Sequence, residues 1–229
     1  MAMSMVTAVA VAMVAAGFIP GEEAMAIEEP AFETLETIGD IQIRQYPPVI
    51  VAETFVDGDL GAASSSGFRL IADYIFGNNL SVGGAASPPS AKIAMTAPVT
   101  VEPAARSEKI AMTAPVNIEP QGNTASGLMQ GRRWRVQFTM PGAYTMATLP
   151  KPLNAAVTVR QVPGARTAAL VFSGFAGEEK AQQKTDELLA WLKKHNRQAI
   201  ATPQLARYNP PWTLPFLRRN EILVEIAVP

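Results

Sequence analysis

The sequence contains no cysteine. Disulfides, thiolate metal sites, cysteine nucleophiles, thioether attachment of a cofactor and a lipid-modified cysteine are therefore excluded. Histidine is almost as scarce, with His195 the only one. A multi-histidine zinc or iron site cannot be assembled, nor a catalytic device that needs two imidazoles. Charge of one sign is missing as well: Lys and Arg number 19 against 20 Asp and Glu, a formal net charge of -1 with no basic stripe. Nucleic acid is not expected as the main partner, because phosphate binding needs clustered positive charge. Also absent are a Gly-x-Ser-x-Gly elbow, a phosphate-cradling glycine loop and a histidine triad.

The first 21 residues lack charged side chains altogether, and Met5 to Ile19 is an almost unbroken apolar run. Glu22 and Glu23 follow, and Ala24-Met25-Ala26 fits a small-x-small cleavage site. This pattern reads as a signal peptide cut after Ala26 or as a short uncleaved anchor, although no Lys or Arg precedes the apolar run. A buried core helix is the alternative, since the clean stretch is shorter than the roughly 20 residues of a full membrane span. Export is the expectation, to the periplasm or to the outer side of the cytoplasmic membrane, with residues 3–19 in the membrane if uncleaved. Residues 27–229 are then expected to form a single domain. Its hydrophobic content, 48% over the whole chain, suffices for a real core.

What is present is a repeat. Ile41-Gln42-Ile43-Arg44-Gln45-Tyr46-Pro47 recurs as Val157-Thr158-Val159-Arg160-Gln161-Val162-Pro163. Each copy alternates apolar and polar residues, as a half-buried strand does, and ends at a proline. A further apolar stretch follows each, Val49 to Phe55 and Ala168 to Phe172, which predicts two hairpins. A helix is expected after each hairpin. The first places Phe68, Ile71, Ala72 and Ile75 on one face and stops at Gly77-Asn78; the second runs from about Glu178 to His195. Alternating strands close each half, around Trp134 to Met140 and Ile222 to Val228. The pattern predicts an α+β fold of pseudo-repeats, about 38–150 and 154–229, whose strands form one antiparallel sheet or barrel flanked by two helices.

Between the halves, Lys92-Ile93-Ala94-Met95-Thr96-Ala97-Pro98-Val99 returns letter for letter at Lys109 to Val116. Pro98 and Pro115 should lie at an edge strand or a strand end. The flanks, Ser81 to Ser90 and Pro120 to Gln130, read as loops.

The Lys-Ile-Ala-Met-Thr-Ala-Pro-Val element resembles the core motif of the SOUL haem-binding family. Tyr208-Asn209-Pro210-Pro211, followed after a spacer by Arg218-Arg219-Asn220-Glu221-Ile222, is similar to that family's closing signature. Tyr74 to Asn79 looks like the segment that ends its first helix. The resemblance spans roughly Glu29 to Val228. It implies a distorted antiparallel barrel of duplicated β-α-β-β units, akin to effector-binding domains, and non-covalent binding of haem or a related tetrapyrrole in a hydrophobic groove beside a helix.

A tetrapyrrole needs a flat apolar slot, a cation near its propionates and optionally an axial ligand. Phe68, Ile71, Met95, Met112, Tyr208, Trp212 and Phe216 are the candidates for the slot, with Trp212 and Phe216 foremost because a proline-broken loop carries them. For Phe68 and Ile71 ordinary core packing is the competing reading. Arg218 and Arg219 are candidates for the propionates, or for ion pairs with Glu221 or Glu225; Arg69 is another cation. His195 is the only conventional histidine ligand and a weak candidate for the metal; it sits at the basic end of the second helix, where stabilising the helix terminus without a metal is the favoured reading. The resemblance implies two patterns: some SOUL-family members use an axial histidine in a different part of the chain, from which this sequence departs, and others hold haem with no strong protein ligand, with which it is compatible; a weak methionine ligand, Met95 or Met112, is a further option. The expected role is a tetrapyrrole carrier or buffer. Its rivals are a module sequestering another hydrophobic molecule, and a hydrolase using Glu53, Glu221 and Tyr208 as acid and base.

Overall fold

The computed structural model describes residues 28–82, 90–103, 133–209 and 212–228. The order is β1 (Glu33–Ile38), β2 (Ile41–Gln45), β3 (Val49–Asp57), α1 (Leu60–Ile75), β4 (Asn79–Leu80), β5 (Val99–Pro103) and β6 (Arg133–Thr139) in the first half. The second half contains β7 (Lys151–Pro152), β8 (Thr158–Val162), β9 (Arg166–Ser173), α2 (Glu178–Lys194), β10 (Gln204–Arg207) and β11 (Arg219–Glu225). Nine strands form one antiparallel sheet in the order β1-β2-β9-β11-β10-β5-β6-β3-β8, while β4 and β7 pair separately. The α+β class and the two flanking helices are as the sequence predicts. The sheet stays open, with β1 and β8 as its edges, and no barrel closes.

The expected hairpins do not form. Strand β2 pairs with β9, placing Ile43 opposite Ala168, and β8 pairs with β3, placing Arg160 opposite Val51. Each repeat strand thus crosses to the other half. Turn chemistry explains it: Pro47-Pro48 follows β2, and proline cannot take the positive φ that a tight hairpin turn needs. The two crossing links are instead laced together, Tyr46 N–H donating to Ala165 O at 2.9 Å and Ala165 N–H to Tyr46 O at 3.2 Å. Gly164 permits this approach, since a Cβ there would lie 2.7 Å from Tyr46 O.

Both helices cover the same face of the sheet. Ala52, Val101, Val136 and Phe138 meet α1; Ala168, Leu170, Ile222 and Val224 lie towards α2, and together they form one buried cluster. Asp59 caps α1 by accepting the Ala62 N–H at 2.8 Å. Gly67 lets α1 settle on β6, for an added Cβ would fall 2.4 Å from Val136 Cγ2. The helix ends at Phe76, and Gly77 leaves with φ +125°. Helix α2 carries Glu178 and Glu179 in its first turn and Lys193 and Lys194 in its last, as its dipole favours. Pro98 lies at a strand end, directly before β5, which occupies the middle of the sheet. No described helix is long and apolar enough to cross a membrane.

Candidate functional site: a cleft opposite the helices

Period-2 alternation sends every second side chain of these strands away from the helices. On that face lies a cavity of about 380 Å³. Val49 and Val51 of β3, Val162 of β8 and Leu223 of β11 supply aliphatic wall, and Phe32, Tyr46 and Tyr208 supply rings. Arg135, Gln137, Arg160, Thr100 and Glu102 also line it. Its size lies within the range of small-molecule and cofactor sites, roughly 300–1,000 Å³.

Two ionic networks flank the apolar strip. In the first, Arg160 Nε meets Glu53 Oε2 at 3.0 Å, and Gln137 donates to the same oxygen at 2.8 Å. Burial alone would raise the Glu53 carboxyl, but these hydrogen bonds and the charges of Arg160 and Arg135 hold it below its ordinary value. Arg135 Nη1 meets Glu102 Oε1 at 2.5 Å, and Gln204 donates to Glu102 Oε2 at 2.9 Å. Here burial wins and pushes the Glu102 carboxyl up despite both partners. The Arg135 and Arg160 side chains remain 30% and 40% exposed, and Arg135 Nε makes no hydrogen bond.

The second network is buried. Arg44 grips Glu221 with Nη1–Oε2 at 2.7 Å and Nη2–Oε1 at 3.0 Å. Tyr208 donates its hydroxyl to Glu221 Oε2 at 2.6 Å, and Arg219 donates to Oε1 at 2.9 Å. Burial tends to raise Glu221, yet Arg44, Tyr208 and Arg219 keep it low. Burial, followed by the Glu221 charge, raises Tyr208, so it stays a phenol. Glu53 and Glu221 are ionised and occupied by their arginines.

The residues singled out from the sequence are scattered. Only Tyr208 lines the cleft. On α1, Ile71 is fully buried core, Phe68 is surface-exposed with its ring 5.4 Å from that of Phe138, and Arg69 is exposed and donates to Ser66. Met95 is half-buried against the core. Met112 and the second copy of the repeated octapeptide lie outside the described residues. Trp212 and Phe216 stand in the β10–β11 loop, 82% and 71% exposed, while Arg218 donates to Thr213 O at 2.7 Å. His195 caps α2 on the helix side, stacked 4.1 Å from Trp191, with Nδ1 2.8 Å from Trp191 O. No group of His, Asp and Glu able to hold a metal occurs among the described residues.

Sequence reasoning missed Phe32, Tyr46, Glu102, Arg135 and Arg160. The signal was present for two of them. Arg135 lies on the polar side of the alternating Trp134–Met140 stretch, and Arg160 is the arginine of the second repeat copy.

No curated protein matches the chain by sequence. Among solved structures, it resembles the EcmrR C-terminal domain at 9% identity and a TM-score of 0.53, over 82% of this chain and 96% of that one. EcmrR in a DNA complex gives 10% identity and a TM-score of 0.52, over 82% of this chain and 58% of that one. A hydrolase from Listeria innocua gives 9% and 0.49, over 84% and 94%. The two EcmrR likenesses show the fold. The SOUL heme-binding protein profile matches residues 27–108 and again 102–225, together most of the chain, and on that ground the chain belongs to the SOUL haem-binding family.

Proposed function

We propose that the protein binds haem or a related tetrapyrrole non-covalently in the cleft opposite the helices, as a carrier or buffer outside the cytoplasmic membrane. The supporting observation is the apolar strip from Val49 and Val51 to Leu223, bordered by Arg135 and Arg160. A planar macrocycle needs apolar contact for its faces and cations for its carboxylates. Arginine suits the second need, since its fork can hold two acceptors and its charge does not titrate. Arg160 keeps Glu53 through Nε, and its side chain is 40% exposed. Arg135, shared between Glu102 and Glu53, keeps 30% of its side chain exposed. Haem, when bound, supplies the redox and ligand chemistry of its own iron. The chain's residues bind and orient it.

A visible absorption titration with haemin and with metal-free porphyrin tests this. A saturable Soret shift at one equivalent is expected for both. Arg160→Met should weaken both by tenfold or more, because a hydrogen bond to a charged group contributes ~1.5–3 kcal/mol. Phe68→Ala and Trp212→Ser should leave them unchanged. No saturable shift, or a shift lost with Phe68→Ala and kept with Arg160→Met, would overturn the cleft.

Glu102 favours a second reading, sequestration of a flat hydrophobic cation. A buried carboxyl held above its usual value gains an opposite charge when a cation arrives. Glu102→Gln separates the two readings. It should weaken a lipophilic quaternary cation in one case and tighten an anionic porphyrin in the other.

A further inference from the structure

The β10–β11 loop and the turn before α2 hold five large apolar side chains in water: Trp212, Leu214, Phe216, Leu217 and Phe175, each more than half exposed. They form one ridge. Gly174 N–H donates to Pro215 O at 3.0 Å, and Asn220 Nδ2 donates to Gly174 O at 3.0 Å, which bolts the two loops together. Arg218 closes the loop on Thr213 O at 2.7 Å and lies 4.8 Å over the Phe175 ring. Pro215–Leu217 is a turn of 3-10 helix. A monomeric surface rarely shows so many large apolar groups together unless something covers them.

We infer that this ridge docks in the interfacial layer of a lipid bilayer, beside the point where the chain's apolar N-terminal run meets the same membrane. Three observations select that occupant. The first is chain route: Arg219, next to the ridge, holds Glu29 at 3.0 Å, and the apolar run Met5–Ile19 precedes Glu29 in the sequence. The stretch from Pro20 to Glu28 reaches at most roughly 30 Å, which keeps the ridge close to any bilayer that the run enters. The second is composition. Tryptophan, phenylalanine and leucine with a flanking arginine is what sits at the boundary between headgroups and acyl chains. The third is rigidity, because side chains already held out lose little conformational freedom on insertion. Glu178 and Glu179 open α2 two residues past Ala176. The contact is therefore hydrophobic, and it suits zwitterionic lipid without any call for an anionic surface.

The test is Trp212 fluorescence of the full chain with phosphatidylcholine vesicles containing brominated lipid. Trp134 is buried and Trp191 packs against the core on α2, so Trp212→Phe supplies the background. Vesicles should blue-shift Trp212 and quench it at shallow depth, with little dependence on salt. Phe175→Ser/Phe216→Ser, with an unchanged thermal transition, should roughly halve that quenching while the chain still sediments with vesicles through its N-terminal run. Three results overturn the inference: no sedimentation with vesicles; sedimentation with Trp212 still emitting as a water-exposed indole; or a concentration-dependent Trp212 shift without lipid, which would assign the ridge to a second copy of the chain.

Discussion

Glu221→Gln is the sharpest probe of what holds the two halves together. Arg44 is 1% exposed and Glu221 fully buried, and two hydrogen bonds of 2.7 and 3.0 Å join them between β2 and β11. The substitution leaves Arg44 buried with Gln42 and Tyr46 as hydrogen-bond partners and no anion. Stranding one charge of a buried pair costs about 3–5 kcal/mol. For a domain of this size each kcal/mol lowers Tm by about 2–4 °C, so a fall of about 6–20 °C is expected. Arg44→Met should cost less, about 1–3 kcal/mol, because Glu221 keeps Arg219 and the Tyr208 hydroxyl. The double variant Arg44→Met/Glu221→Gln should be more stable than Glu221→Gln alone. The pH dependence follows the sign of the shift. Glu221 is depressed in the folded state, so its contribution is present above the unfolded carboxylate value of about 4.3 and is lost as pH falls through the folded value. Urea titrations of the four proteins at several pH values give the cycle. Additive single substitutions, or a cost for Glu221→Gln below about 1 kcal/mol, would refute the buried-pair reasoning.

Gly67→Ala should cost about 1–3 kcal/mol by overpacking, because its Cβ would sit 2.4 Å from Val136 Cγ2; adding Val136→Ala should recover part of the loss in a urea midpoint. Asp59→Ala removes the α1 cap and should cost ~1 kcal/mol, seen as a lower Tm with unchanged cleft binding. For Glu102 the sign is reversed: burial raises its folded value, so the folded state holds the proton more tightly and stability falls as pH rises through that range. Glu102→Gln should flatten this limb, gaining on the wild type at neutral pH and losing the gain in acid; an unchanged pH profile would refute it.

The elements were legible because their periods are clean. Trp134, Val136 and Phe138 alternate without a break, and Leu188 and Leu192 mark the buried side of α2. The crossing of β2 and β8 was not, since a repeat shows that two segments are alike and is silent on which half each joins. The site was least legible. Trp212 and Phe216 drew attention as aromatics in a broken loop, yet the cleft is made by polar residues on alternate strand positions, Glu102, Arg135 and Arg160. In sequence those positions read as the solvated side of half-buried strands. They become a cavity only when β10 and β5 pair, Ala206 opposite Thr100, and join the two half-sheets.

That junction is also where the duplication shows its consequence. Reading the sheet outwards from β5 and β10 gives β6, β3, β8 on one side and β11, β9, β2 on the other, so each strand except the edge strand β1 has its counterpart. Arg44 and Arg160 are then equivalent, facing Thr167 and Val51. Their partners are not. Arg44 meets Glu221 of β11, whereas the equivalent place on β6 holds Arg135, and the carboxylates come instead from Glu53 of β3 and Glu102 of β5. One reversal of sign has divided the labour of a duplicated ion pair. In the second half it is sealed, with side chains 2% and 0% exposed, and fixes the strand crossing. In the first half, spread over two carboxylates, it leaves its arginines half open to the cleft. Arg44→Met should accordingly lower Tm and spare ligand affinity for a folded protein, and Arg160→Met should do the reverse; the same effect from both would mean that the two halves have not diverged in role.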